Sequence, residues 1–127
     1  MLPFSITLQP GLPIAEQVVF AVKKAVVTGQ LKSGQPFPSV RMVSQELRIN
    51  PNTAHKVVAA LVAEGVLVTT PAVGSIVAAP AGGERAGRAK LLSRDLESLA
   101  VEAKKLGLSL DELQAELAVH WRRLERR

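Results

Sequence analysis

Five polar side chains fall close together between Asn50 and Lys56: Asn50, Asn52, Thr53, His55 and Lys56. A carboxamide can pair bidentately with adenine, a threonine can bond several bases or touch the thymine methyl, and a lysine favours guanine or phosphate. For such chemistry the residues need the solvent face of an element that is apolar behind. A helix of 3.6 residues per turn supplies this. On it Ala54, Val57, Val58 and Leu61 centre on one side, with Asn52, His55, Lys56 and Ala59 opposite and Asn50 and Thr53 at the N-terminal tip. An apolar back and short polar side chains at the leading end are what a helix needs to read base edges. The free N–H groups and positive dipole of its first turn also suit a phosphate. The same residues have plainer uses: Asn50 and Thr53 are capping types, and His55 and Lys56 suit any solvated surface.

The surrounding pattern supplies the elements that would hold this helix. Phe4 to Leu8 alternates apolar and polar, which predicts a short strand. Pro13 fits a first helical position. Ile14, Val18, Val22, Ala25 and Val26 follow at helical spacing, and Gly29 ends that helix. A loop runs from Gln30 to Pro38. Ser39 is a good N-cap for a second helix reaching Leu47, which would bury Val40, Val43 and Leu47. After the turn Arg48-Ile49-Asn50, Asn50 caps a third helix that has Pro51 at its first position and stops at Gly65. Val66–Thr70 and Ser75–Ala78 are β-rich runs around Pro71-Ala-Val-Gly74, a hairpin. Three helices followed by a hairpin, with a tight turn between the second and third, is the winged helix-turn-helix plan. The expected class is mainly α with a small β-hairpin (α+β).

Glycine and proline cluster in Pro80–Arg88, where no hydrophobic period runs. This predicts residues 1–79 as the winged domain, 80–88 as a linker and 89–127 as a helical tail. The tail reads as two helices, about 86–106 and 110–125, broken by Gly107. Ser109-Leu-Asp-Glu112 is a capping box for the second.

The 127 residues include no cysteine, which excludes disulfides, thiolate zinc sites and cysteine nucleophiles. Sixteen Lys+Arg against eleven Asp+Glu give +5, a balance that suits a polyanionic partner. Residues 1–79 carry six Lys/Arg and three Asp/Glu, and residues 81–127 carry ten and eight, so the charge is spread over both parts. Aromatics are 3%, too few to stack a single-stranded nucleic acid. There is no Gly-rich phosphate loop, nucleophile elbow or close acid–base pair, and Glu46 and Glu64 fall on different predicted helices. No enzyme activity, cofactor or metal is expected. With no membrane-length apolar run and no basic-then-apolar leader, the expected location is the cytoplasm.

Residues 13–77 resemble the DNA-binding domain of the GntR family of bacterial transcription regulators. The resemblance is carried by Pro13-Ile-Ala-Glu-Gln17, Gly29-Gln-Leu-Lys-Ser-Gly34, Pro38-Ser-Val-Arg41, Leu47-Arg-Ile-Asn-Pro-Asn-Thr53, Leu61-Val-Ala-Glu-Gly65 and Gly74-Ser-Ile-Val77. The short tail and the Ile-Asn-Pro-Asn-Thr run look like the YtrA subfamily, whose two C-terminal helices serve dimerisation. The resemblance implies a dimeric regulator, a repressor in the expected mode, on palindromic double-stranded operator DNA. It assigns DNA contact to Ser39, Arg41, Asn50, Asn52 and Thr53, with His55 at a family arginine position and Gly74 at the wing tip. Two departures stand out. Arg48 occupies a position where the family often has glycine, and its charge could instead reach a phosphate. The wing Thr69-Thr-Pro-Ala-Val-Gly74 carries no charge, and Ala72 replaces a family glycine.

In the tail, Leu92, Leu96, Leu99, Ala103 and Leu106 recur at helical spacing, and so do Leu110, Leu113, Leu117, Trp121 and Leu124. Two helices cannot bury both stripes on each other alone. Packing on the winged domain is one outlet. A second chain is favoured, since dimeric readout sets two recognition helices about 34 Å apart. Leu92, Leu96, Leu99, Leu110, Leu113, Leu117, Trp121 and Leu124 are the candidate dimer residues. A small-molecule effector is left open, without a signal for it. The rival reading is a winged-helix protein–protein interaction module, because fold does not fix function.

Overall fold

The computed structural model describes residues 1–79 and 85–125, which divide into two compact units lying within Met1–Pro80 and Ala81–Glu125. In the first unit, helix α1 spans Ile14–Val27, α2 Val40–Leu47 and α3 Pro51–Ala63. Strands β1 (Leu67–Thr70) and β2 (Gly74–Val77) form an antiparallel hairpin in which Leu67 faces Val77 and Thr70 faces Gly74. This is the predicted three-helix-plus-hairpin order.

Helices α1 and α2 both pack on α3, which also rests on β1. Val18, Val22 and Ala25 of α1, Val43 of α2, Ala54, Val57 and Leu61 of α3, and Leu67 and Val77 of the hairpin are buried together. Connecting segments complete this core with Phe4, Leu31, Phe37 and Ile49. The rings of Phe4 and Phe37 stack at 5.9 Å. Three expectations change in detail. Pro13 caps α1 rather than opening it, and Ile14 is exposed. In α2, Val43 is buried while Val40 and Leu47 are only half-buried.

The segment Phe4–Leu8 is not a strand. Its alternation is real, because Phe4 is buried and Ile6 and Leu8 pack against the core while Ser5 and Thr7 face solvent. A two-residue period reports which face is buried, not whether a neighbouring backbone completes a ladder. The end of this segment is instead tied to α1 by Gln17. Its Oε1 accepts from the Gln9 N–H at 2.8 Å, and its Nε2 donates to the carbonyls of Gln9 and Leu12, both at 3.0 Å. The loop before α2 supplies the pairing that the N-terminus does not. The Phe37 N–H donates to the Ser75 carbonyl and the Val77 N–H to that of Gln35, both at 2.9 Å, so this stretch edges β2.

The second unit contains α4 (Arg85–Lys90), a π-helical turn (Leu91–Asp95), α5 (Leu96–Lys105) and α6 (Leu110–Arg123). Arg85 to Arg88, placed in the linker by composition but from about residue 86 in the first tail helix by period, are helical; residues 80–84 of that stretch lie outside the described residues, as do 126 and 127. Within the π-helical turn, the Ser93 hydroxyl donates to the Ala89 carbonyl at 2.6 Å. Such a turn inserts an extra residue and shifts the helical stripe beyond it. The capping box on α6 forms as expected, with Ser109 Oγ accepting from the Glu112 N–H and Glu112 Oε1 from the Ser109 N–H, both at 3.1 Å. Ala103 is the one buried residue of this unit among those described. Among the described residues, no helix is long and apolar enough to cross a membrane.

Candidate nucleic-acid interface

Helix α2 must end sharply for α3 to cross it, and Arg48 provides the stop. Its backbone is left-handed, φ 53° and ψ 48°. The Ile49 N–H reaches back to the Ser44 carbonyl at 3.1 Å, and the Arg48 N–H to that of Gln45 at 3.4 Å. This is the Schellman pattern, which satisfies carbonyls that a helix end leaves without partners. Helix α3 ends the same way at Gly65 (φ 77°), with the Val66 N–H bonded to the Leu61 carbonyl at 2.9 Å. Glycine takes that conformation freely, whereas an L-residue gives up about 1–2 kcal/mol. Arg48 thus holds the left-handed geometry that a glycine would take freely, with buried Ile49 and Val43 packing inward on either side of the turn.

Asn50 then caps α3, its Oδ1 accepting from the Asn52 N–H at 2.7 Å. That oxygen already accepts one backbone bond, which leaves the amide N–H groups as the fully free part of the Asn50 side chain. Ser39 plays the same part for α2, with Oγ accepting from the Met42 N–H at 3.1 Å. Its hydroxyl proton is still available to donate. Thr53 is half-buried, and its side chain makes no hydrogen bond among the described residues. Thr53 is thus not a cap; Asn50 is.

Asn52, His55, Lys56 and Ala59 are exposed and together line a shallow concavity on α3. Ala54, Val57 and Leu61 hold the opposite face in the core with no accessible surface. The wheel drawn from the sequence is therefore the real one. Arg41 and Arg48 are exposed at the start and end of α2.

The ion pairs of this unit lie elsewhere. Glu46 takes the N-terminal amine at 3.0 Å, and Glu64 takes Lys23 at 2.6 Å. Arg41, Arg48 and Lys56 enter no ion pair among the described residues. Their charge is not neutralised internally, which is what a phosphate-binding face requires.

The wing is a different surface. Pro71, Ala72 and Val73 bridge the strands, Ala72 is left-handed at φ 66°, and Gly74 stands at φ 96° with open space around it. Val68 and Val73 are exposed. The signal for an apolar wing surface lies in the run Val68-Thr-Thr-Pro-Ala-Val73, whose valines are as plain as its lack of charge.

Residues 14–77 match the family model described as "Bacterial regulatory proteins, gntR family". The chain is 29% identical over 102 residues to the HTH-type transcriptional repressor YtrA of Bacillus subtilis (strain 168), covering 80% of this chain and 78% of that protein. Its fold is similar to the structure of a transcriptional antiterminator from Listeria monocytogenes EGD-e, at TM-score 0.80 and 28% identity over 93% of this chain and 88% of that one. It is also similar to YtrA from Sulfolobus acidocaldarius, a GntR-family transcription factor, at TM-score 0.61 and 27% identity over 76% and 96%. With half of its length matched by the family model, the chain belongs to the gntR family of bacterial regulatory proteins and is a winged-helix, DNA-binding transcription regulator.

Proposed function

We propose that the protein is a cytoplasmic repressor that acts as a homodimer on a palindromic operator. Helix α3 enters the major groove, with Asn52, Thr53, His55 and Lys56 at base edges. Ser39, Arg41, Arg48 and the amide of Asn50 lie on the flanking phosphates. The observation that carries this reading is α3 itself: a fully buried apolar back, an exposed polar front, and three cations around it that no carboxylate neutralises among the described residues. A phosphate-binding face gains affinity by releasing counterions, so cations left unpaired in the free protein are the useful ones.

The wing contributes through shape. Gly74 and the apolar Val73 can approach a sugar or groove wall but cannot neutralise a phosphate. The name of the Bacillus relative supports the repressor role. The tail, with residues 89–127, holds the two heads together through Leu92, Leu96, Leu99, Leu110, Leu113, Leu117, Trp121 and Leu124. The intervening residues act as the connector.

A mobility-shift titration with the DNA flanking the protein's own gene tests this. A discrete complex is expected, stoichiometric for two chains and lost on scrambling either half-site. Equal affinity for operator and random duplex at low salt, where counterion release favours any binding, would overturn sequence-specific readout.

A further inference from the structure

Helices α5 and α6 flank an open apolar pocket of about 280 Å³ at their turn, lined by Ala100, Ala103, Leu110 and Leu113 and edged by Lys104 and Leu108. The chain's single tryptophan, Trp121, is 69% exposed on the same helix that forms one wall. Helix α6 is also electrically polarised along its length. Asp111, Glu112 and Glu116 occupy its first half, and His120, Arg122 and Arg123 its last turns. None of these residues forms an ion pair among the described residues.

We propose that the pocket is a socket for Trp121 of a second copy, delivered by antiparallel pairing of two α6 helices about Leu117. The proposal rests on the dimer reading above and specifies its geometry. Antiparallel pairing sets the acidic half of each helix beside the basic half of the other, and opposes the helix dipoles favourably. Parallel pairing would set Asp111, Glu112 and Glu116 against their own copies. In the register centred on Leu117, Leu110 meets Leu124 and Leu113 meets Trp121. Leu113 lines the pocket, so the register that pairs the charges also brings the indole to the socket. Two-fold symmetry makes the exchange reciprocal, each copy giving one tryptophan and receiving one. A tryptophan buries about 150–250 Å² and is the residue type most often found as an interface anchor. Small Ala100 and Ala103 leave the room that a larger wall residue would fill.

The cysteine-free background makes the register directly testable in the full-length chain. Leu117→Cys should cross-link to itself across the dimer with a short bis-thiol reagent. Leu110→Cys and Leu124→Cys should link only when mixed, because the two copies of position 110 lie about 21 Å apart along antiparallel axes. The indole emission of the unmodified protein should shift to the red on dilution through the dimer dissociation range. Trp121→Ala should raise the dissociation constant by about 30-fold or more for each tryptophan removed. Ala100→Phe, at an exposed position that the monomer fold does not use, should weaken the dimer and redden the emission. A dimer in which the Leu117→Cys variant does not cross-link and emission is insensitive to dilution overturns the socket while leaving the dimer in place. A chain that sediments as a monomer at every concentration and on operator DNA overturns both.

Discussion

The two units solve the burial problem in opposite ways. The winged unit closes its core within itself: Val18, Val22, Val43, Ala54, Val57 and Leu61 have no accessible surface, and even its connecting segments contribute Phe4, Leu31 and Phe37. The tail has helices of similar length, a capping box on α6 and a leucine-rich sequence, yet among its described residues it buries Ala103 alone. Leu92, Leu96, Leu99, Leu110, Leu117 and Trp121 remain exposed, with Leu113 and Leu124 half-buried. Capping and amphipathic spacing make a helix, but most helix stability in water comes from a face that is covered. Topology makes the difference. Three helices and a hairpin enclose a volume, while two helices make only one seam.

This contrast is most sharply tested by separating the pieces. A chain ending at Pro80 should unfold cooperatively as a monomer, whereas a peptide of residues 85–125 should lose most of its helical circular dichroism on dilution. A helical peptide at nanomolar concentration would remove the distinction. Single substitutions should show the same asymmetry. Leu61→Ala should destabilise the protein by about 2–5 kcal/mol in urea unfolding, as for a fully buried leucine. Leu96→Ala in the dilute chain should stay within about 0.5 kcal/mol, as for a surface change.

Further predictions compare surfaces within the winged unit. Asn52→Ala should cost about 1–3 kcal/mol of discrimination at one or two operator positions, measured against substituted duplexes. Equal loss on random DNA would show that Asn52 does not read bases. The smallest effect is in the turn. Arg48→Gly should raise stability in urea unfolding by up to about 1 kcal/mol, relieving the left-handed backbone, while weakening DNA binding through the lost cation. An unchanged affinity would remove Arg48 from the phosphate face.

Much of the site was legible because its signals are local. Ser39, Asn50, Pro51 and Ser109 are capping chemistry, and a cap depends on the residue and its nearest backbone. The wheel of α3 was legible because helical period alone divides Ala54, Val57 and Leu61 from Asn52, His55 and Lys56. What was not legible depends on distant partners. The alternation of Phe4–Leu8 predicts a strand, yet those side chains pack on the core while Gln17 binds the end of the segment. The edge of β2 is taken by Gln35–Phe37, which by residue type is plain loop. Thr53 is a capping type, but at the start of α3 only Asn50 offers a side-chain oxygen to the backbone. The tail helix read from about residue 86 is described from Arg85, so helical period rather than glycine content located its start.

The sequence by itself determined, to within a residue or two, where the helices of the winged unit and α6 start and stop, which face of α3 is polar, and that the wing carries no charge. Those properties follow from side-chain type and period, and they hold for a short segment in any fold. Tertiary structure decided which apolar stripes are satisfied, which cations stay unpaired and which extended segments find a ladder. These depend on what the chain brings alongside from far away, and hydrophobic spacing reports only that a face needs covering. In the winged unit the chain covers its own face. In the tail it leaves the face open, with an apolar pocket at the α5–α6 turn and Trp121 exposed further along α6.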